Sequence, residues 1–173
     1  MLFRSRERAP VPSLVCREQV YYEGSRGTAA RELVRAELRP AQRADRDRLL
    51  QATLLLNASD LKLDPARVDR RWLRDTIDER IAEGSTRVLG PVGGPWCKLD
   101  YGSDGPGGRV LEGVFTFPEF RGQGLAAALV ASCLAETPGG VLLHVGQHNA
   151  PARAAYARAG MTPVDTCRLL LLG

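Results

Sequence analysis

The chain has 173 residues and a net charge of +4, a length that fits one domain with an apolar core of its own. No stretch approaches the roughly 18 apolar residues of a membrane span, and Met1-Leu2-Phe3 runs into Arg4, Arg6 and Arg8 without the apolar core of a secretory leader. The positive balance does not point to nucleic acid. Acidic and basic residues are interspersed within the same segments, as at 70–75 and 78–80, and aromatics are too few to interleave with a basic patch. All basic residues but Lys62 and Lys98 are Arg, in a background rich in Ala, Gly and Pro, which reflects codon bias. Cys16, Cys97, Cys133 and Cys167 lie far apart, and the two histidines, His144 and His148, sit together near Asn149. No metal-ligand spacing results, and a reduced, cytoplasmic chain is expected.

Residues 1–35 form an N-terminal extension, in which 15–22 reads as a strand or an interface segment, 23–27 as a turn, and 28–34 as a short helix. A domain over 36–173 follows. Residues 35–39 suit a first strand, with Pro40 opening the turn into a helix whose apolar side is Leu49, Leu50, Thr53, Leu54 and Leu56, loosening over 57–63. Asp64-Pro65 reads as the start of a second helix, carrying Val68, Trp72, Leu73, Thr76, Ile77 and Ile81 at helical spacing and stopped by Gly84. Three strands then form a meander over 86–89, 96–101 and 110–117, with glycine-rich turns between them. Alternation over 96–101 suits a strand with one wet face. Leu125, Ala126, Leu129, Val130, Cys133 and Leu134 give a buried stripe to a helix starting near Gly122. Pro138-Gly139-Gly140 resets the chain into a strand over 141–145. Asn149 then caps a last helix with Pro151 in its first turn and Gly160 at its end, and 167–172 closes as a strand. Strands first antiparallel and then joined through helices make a mixed α/β sheet.

Between the 110–117 strand and the helix stands Arg121-Gly122-Gln123-Gly124-Leu125-Ala126. Glycines at a helix start open a close approach to N–H groups that have no partner within the helix, and the dipole adds positive charge there. With Arg121 alongside, the segment suits a phosphate or pyrophosphate. Gly122, Gly124 and Ala127 also match a dinucleotide-binding spacing. That match is accidental, because four residues separate Phe117 from Gly122 and no acidic residue closes the next strand.

The R-x-x-G-x-A pattern after a strand ending V-x-T, with Pro118 and Phe120 before the arginine, resembles the acyl-CoA motif of the GCN5-related N-acetyltransferases, the GNAT family. A second segment in the family's order follows: Asn149-Ala150-Pro151-Ala152-Arg153-Ala154-Ala155-Tyr156, then Gly160-Met161. The resemblance covers 36–173. It implies an acyl-CoA N-acyltransferase fold: a mixed, mostly antiparallel central sheet with a splayed strand pair, flanked by helices.

The same resemblance implies acetyl-CoA as co-substrate and no metal. The pantetheine arm would lie on the backbone of Val114, Phe115 and Thr116, and the pyrophosphate on the N–H groups of Gly122, Gln123, Gly124, Leu125, Ala126 and Ala127. Tyr156 matches the family's proton donor to the CoA sulfur, and Asn149 is a helix cap, a pantetheine contact, or both. For the base, Glu112 ranks first, placed by period two on one face with Val114 and Thr116. His144 ranks second, where the ribosomal-protein alanine acetyltransferases carry a glutamate, and His148 is a loop residue. The second helix belongs to the family's roof over the acceptor, although Trp72 itself reads as core packing. No cysteine suggests a covalent acyl carrier. The expected activity is direct acetyl transfer to a primary amine, on a small molecule or a peptide N-terminus, without specific nucleic acid or membrane. A non-catalytic acyl-CoA-binding module and another acyl donor remain alternatives, and a homodimer stays open.

Overall fold

The computed structural model describes residues 13–60 and 64–172. In chain order these are β1 (Ser13–Ser25), β2 (Arg39–Pro40), α1 (Arg46–Asp60), α2 (Arg70–Glu83), β3 (Thr86–Leu89), β4 (Cys97–Gly105), β5 (Gly108–Thr116), α3 (Leu125–Glu136), β6 (Gly140–Gly146), α4 (Ala150–Ala159) and β7 (Thr162–Leu172). The strands form one seven-stranded sheet in the order β2-β3-β4-β5-β6-β1-β7. Its pairings are antiparallel except β5 with β6, so the sheet is mixed and mostly antiparallel, flanked by helices. Residues 15–22 are a strand, and β1 as a whole lies inside this sheet, between β6 and β7, with Val20 and Tyr22 buried.

Two layers of helix cover the sheet. On one face α3 is buried on all sides from Ala127 to Leu134, in a core with Leu99, Leu111, Val141 and Leu143. The predicted single stripe understates this helix. Its small residues let the sheet and α4 close around it, and an all-round apolar helix belongs at a domain centre. On the other face α1 and α2 bury Leu49, Leu50, Leu73 and Ile77 with Val88 of β3, while Phe115 and Phe117 pack with Ala52 of α1.

Several elements depart from their sequence reading. Residues 35–38 form a turn closed by Leu38 N–H to the Arg35 carbonyl, so β2 is a two-residue strand; Pro40 has no N–H with which to prolong a ladder. Helix α1 holds its form to Asp60 despite Asn57. Asp64 caps only a short 3₁₀ turn (Pro65–Arg67), and α2 starts later, where Asp69 accepts from the N–H groups of Arg71 and Trp72. Leu73 and Ile77 face the core from α2, which leaves Trp72 one step around the helix and 63% exposed: it is not a core residue. The expected wet face of β4 is also absent. Cys97, Lys98, Leu99 and Asp100 are all buried, since the polar face lies under α1 and α2.

The departure that matters most for the site is in β5. Its register with β4 pairs Lys98 with Phe115 and Asp100 with Glu112, so Gly113 and Val114 together oppose Leu99. This is a β-bulge, and Gly113 occupies it with a φ of 59°, the left-handed region that a side chain disfavours. A Cβ there would also stand 2.7 Å from Asp100 Oδ2. The extra residue breaks the period of two. Leu111 and Val114 pack in the α3 core, whereas Glu112 and Phe115 face α1 and α2. Glu112 therefore does not share a face with Val114 and Thr116, as strict alternation would have it.

The entry to α1 is held by one buried charge. Asp45 is fully buried and accepts from Arg39 Nη1 (2.7 Å) and Nη2 (3.0 Å), Gln42 N–H (2.8 Å) and Gly93 N–H (2.7 Å). Burial opposes its ionisation, but the donors from Arg39, Gln42 and Gly93 overcome it and hold the carboxyl below the usual range. Replacing Asp45→Asn should destabilise the fold by about 3 kcal/mol in a urea melt at pH 7. A depressed carboxylate stabilises above its unfolded pKa, so the gap between the two proteins should shrink as pH falls below about 4.

Candidate active site

Strands β5 and β6 pair at only two positions, Arg109 with Val141 and Val110 with Leu142. Beyond them the strands part and enclose a cleft of about 950 Å³. Glu112, Val114, Phe115 and Thr116 line its β5 side, while His144 stands on its β6 side. On this edge β5 has no ladder partner past Val110 among the described residues, so backbone groups that a sheet would consume face the cleft. Thr116 Oγ1 is buried without a hydrogen-bond partner among the described residues. Such a gap, with main-chain donors and acceptors on its wall, suits an extended chain carrying amides.

At one end of the cleft the chain makes a short 3₁₀ turn (Pro118–Phe120) and then Arg121, whose Nε donates to the Thr116 carbonyl at 3.1 Å. Gly122 and Gly124 both have left-handed φ, and Gly124 is the N-cap of α3, with no side chain capping the helix. The first N–H groups of α3 therefore stay open beside Gly122, Gly124, Leu125, Ala126 and Ala127, all of which line the cleft; Gln123 does not. The helix itself begins at Leu125 rather than near Gly122. A second cation stands here that the sequence reading did not single out. Arg158, in the last turn of α4, brings Nη1 to within 3.8 Å of where a Cβ on Gly124 would lie. An arginine in the last turn of a helix is ordinary in sequence, so only the packing of α4 on α3 reveals it.

Tyr156 of α4 lines the same cleft with 6% of its surface exposed, its ring edge-on to Tyr22 at 6.0 Å. Burial first, and then the nearby charge of Asp60, raise its pKa well above 10. Asn149 caps α4, accepting from Ala152 N–H at 3.2 Å, and faces the cleft as well. The His144 ring lies 4.8 Å from that of Tyr21. Its side chain is open to the cleft, yet the protein packed around it disfavours the imidazolium and lowers its pKa below 6.5. His148 lies in the turn before α4 and also reaches the cleft.

A smaller cavity of about 380 Å³ opens under α1 and α2 and shares Arg17, Leu56, Asp60, Glu112 and Gly113 with the cleft. Leu49, Leu73 and Ile77 line it, together with a charged network. Asp100 accepts from Lys98 Nζ (2.5 Å), Arg80 Nη1 (2.9 Å) and Thr86 Oγ1 (2.6 Å), and Arg80 Nη2 also binds Glu112 (2.8 Å). Lys98 and Asp100 carried no functional signal in sequence, since their burial depends on helices that pack from elsewhere. Burial raises the thiol pKa of Cys97 and Cys133 to about 12, so neither is a thiolate at neutral pH. Among the described residues no three His, Cys, Asp or Glu side chains gather as a metal site, and no helix is long and apolar enough to cross a membrane.

The model of the acetyltransferase (GNAT) family matches residues 40–161, well over half of the chain. The chain belongs to the GNAT family. Its fold is similar to a GNAT-family acetyltransferase from Colwellia psychrerythraea (TM-score 0.61, 16% identity, 93% of this chain and 58% of that one). A protein assigned to the GNAT family from Novosphingobium aromaticivorans gives TM-score 0.64 at 18% identity, over 94% of this chain and 67% of that one. A GCN5-related N-acetyltransferase from Sphaerobacter thermophilus gives 0.56 at 15%, over 95% and 53%. The chain thus spans little more than half the length of the first and third of these. No curated protein matches it. Replacing Arg158→Ala should weaken acetyl-CoA binding by ~10-fold or more, the loss of one charge-assisted phosphate contact. Isothermal titration calorimetry reads this directly, and full affinity in the variant would take Arg158 out of the anion end.

Proposed function

We propose that this GNAT protein is an acetyl-CoA-dependent N-acetyltransferase that moves the acetyl group directly onto a primary amine, on a small molecule or a peptide N-terminus. Family membership implies acyl transfer from an acyl-CoA. The observation that carries the finer reading is the parting of β5 and β6, with an uncapped helix start at one end of the gap and Tyr156 of α4 on its wall. The residues present fit the co-substrate. The open β5 edge suits the pantetheine amides, and the α3 N–H groups with Arg121 and Arg158 suit the pyrophosphate.

When bound, acetyl-CoA supplies an acyl group activated as a thioester. The chain must then polarise the carbonyl, free the amine of its proton and accommodate charge on the departing sulfur. Backbone N–H groups on the open edge of β5, near Val114 to Thr116, serve the carbonyl. Glu112, fixed toward the α1 and α2 side by Arg80, takes the amine proton as the carbon–nitrogen bond forms. The carbon–sulfur bond would break toward Tyr156, whose phenol burial keeps protonated at neutral pH; it would donate a hydrogen bond to the departing sulfur and pass it a proton as charge develops there, regaining one from solvent. The buried, protonated thiols of Cys97 and Cys133 support direct transfer over an acyl-cysteine.

Tyr156→Phe should lower kcat/KM at least ~10²-fold in a thiol-release assay with an amine panel, while acetyl-CoA still raises the melting temperature. Glu112→Gln should lower the high-pH plateau of kcat/KM by a similar factor. An unchanged plateau there, with loss of the acid limb in His144→Gln, would move the base to His144, whose lowered pKa leaves it neutral at pH 7. Stabilisation by acetyl-CoA without thiol release from any amine would favour a non-catalytic acyl-CoA-binding module.

A further inference from the structure

Arg17 stands at the junction of the cleft and the smaller cavity and lines both. It comes from β1, before the segment that matches the family model. Its Nη1 donates to the backbone carbonyl of Asp60, the last residue of α1, at 2.7 Å, which fixes the guanidinium at that helix's C-terminal end. Its Nε is buried with no hydrogen-bond partner among the described residues. No described carboxylate lies within ion-pair distance of it either.

Four other charges of the smaller cavity are matched among themselves. Lys98 and Arg80 are bound to Asp100, and Arg80 also to Glu112. Arg17 therefore brings a fixed guanidinium, without an ion-pair partner among the described residues, to the junction of the two cavities, where its remaining N–H groups suit a carboxylate. Asp60 lines the same junction, and among the described residues its carboxylate accepts only from Ser59, at 3.4 Å. A guanidinium and a carboxylate held side by side without pairing complement a ligand carrying both charges. Leu49, Leu73 and Ile77 extend the space beyond them, large enough for a side chain.

We propose that Arg17 anchors the carboxylate of the acceptor, and that the acceptor is a free amino acid whose amino group is directed at the acyl group in the cleft. This rests on the N-acetyltransferase reading above. It names the acceptor class for that same site, which neither the motif segments nor the family match contains.

The test is thiol release by the full chain with acetyl-CoA and a panel of amino acids, each beside its carboxamide and its decarboxylated amine. Free acids should exceed their carboxamides in kcat/KM by ~10-fold or more, the worth of a charge-assisted contact. Arg17→Gln should collapse that preference through KM, and Arg17→Lys should restore part of it; continued stabilisation by acetyl-CoA verifies that both variants fold. Calorimetry supplies a second readout: in the presence of CoA, an N-acetylamino acid should bind more tightly than its amide, and Arg17→Gln should remove the difference. Release from carboxamides or plain amines at rates equal to the acids overturns the Arg17 assignment and leaves the acetyltransferase standing. Release from no amine of any kind overturns the acetyltransferase reading and the assignment with it.

Discussion

The parting of β5 from β6 is the constraint on which the rest of the molecule depends. A strand edge with no partner leaves N–H and C=O groups that must find water, a ligand or another strand. Here neither strand can close the gap. Strand β5 is fastened on its far side to β4, and β6 is fastened over seven positions to β1. The two are pinned together at their other end, where a Cβ on Gly108 would stand 2.0 Å from the Gly140 carbonyl oxygen. Pinned at one end and held apart at the other, they keep a wedge-shaped opening without any loop having to order itself.

The bulge at Gly113 gives that opening two chemically different sides. One extra residue sends Leu111 and Val114 into the α3 core and turns Glu112 toward α1 and α2, where Arg80 meets it. The cleft along β5 thus joins a second cavity whose wall is a closed network of charges around Asp100. Burying those charges is costly, and the cost is tolerable because Asp100 has three donors and Lys98 a direct partner. Arg17 and Asp60 stand outside this network. Arg17 is the contribution of a strand from the N-terminal segment, which enters the sheet between β6 and β7 and completes the junction from outside the motif-bearing segments.

Local chemistry was legible in the sequence wherever one short segment carries it. The glycine turn before α3, the Asn149 cap, the Gly84 and Gly160 stops and the alternation of strands with helices all depend on neighbours in the chain, and their residues read correctly in kind. What escaped depends on residues far apart. Whether β4 has a wet face is decided by α1 and α2, which cover Lys98 and Asp100. Period two cannot foresee a bulge, because the extra residue is defined only against Leu99 on the partner strand. The place of β1 in the sheet is a matter of long-range pairing, so its 15–22 core could be read as a strand but not located. Trp72 shows the same limit on a helix: a shift in where α2 begins, and a narrow apolar stripe, put the largest side chain of that segment in solvent.

The central claim is that the open edge of β5 and the start of α3 together hold the acyl-CoA. Hydrogen–deuterium exchange of the full chain, with and without saturating acetyl-CoA, tests it most directly. The account predicts slower exchange in peptides covering 111–117 and 122–128, where backbone N–H groups acquire ligand partners, and no change over 162–169 on β7. Unchanged exchange across both β5 and the α3 start, under conditions where acetyl-CoA binds, would contradict it and place the ligand elsewhere on the molecule.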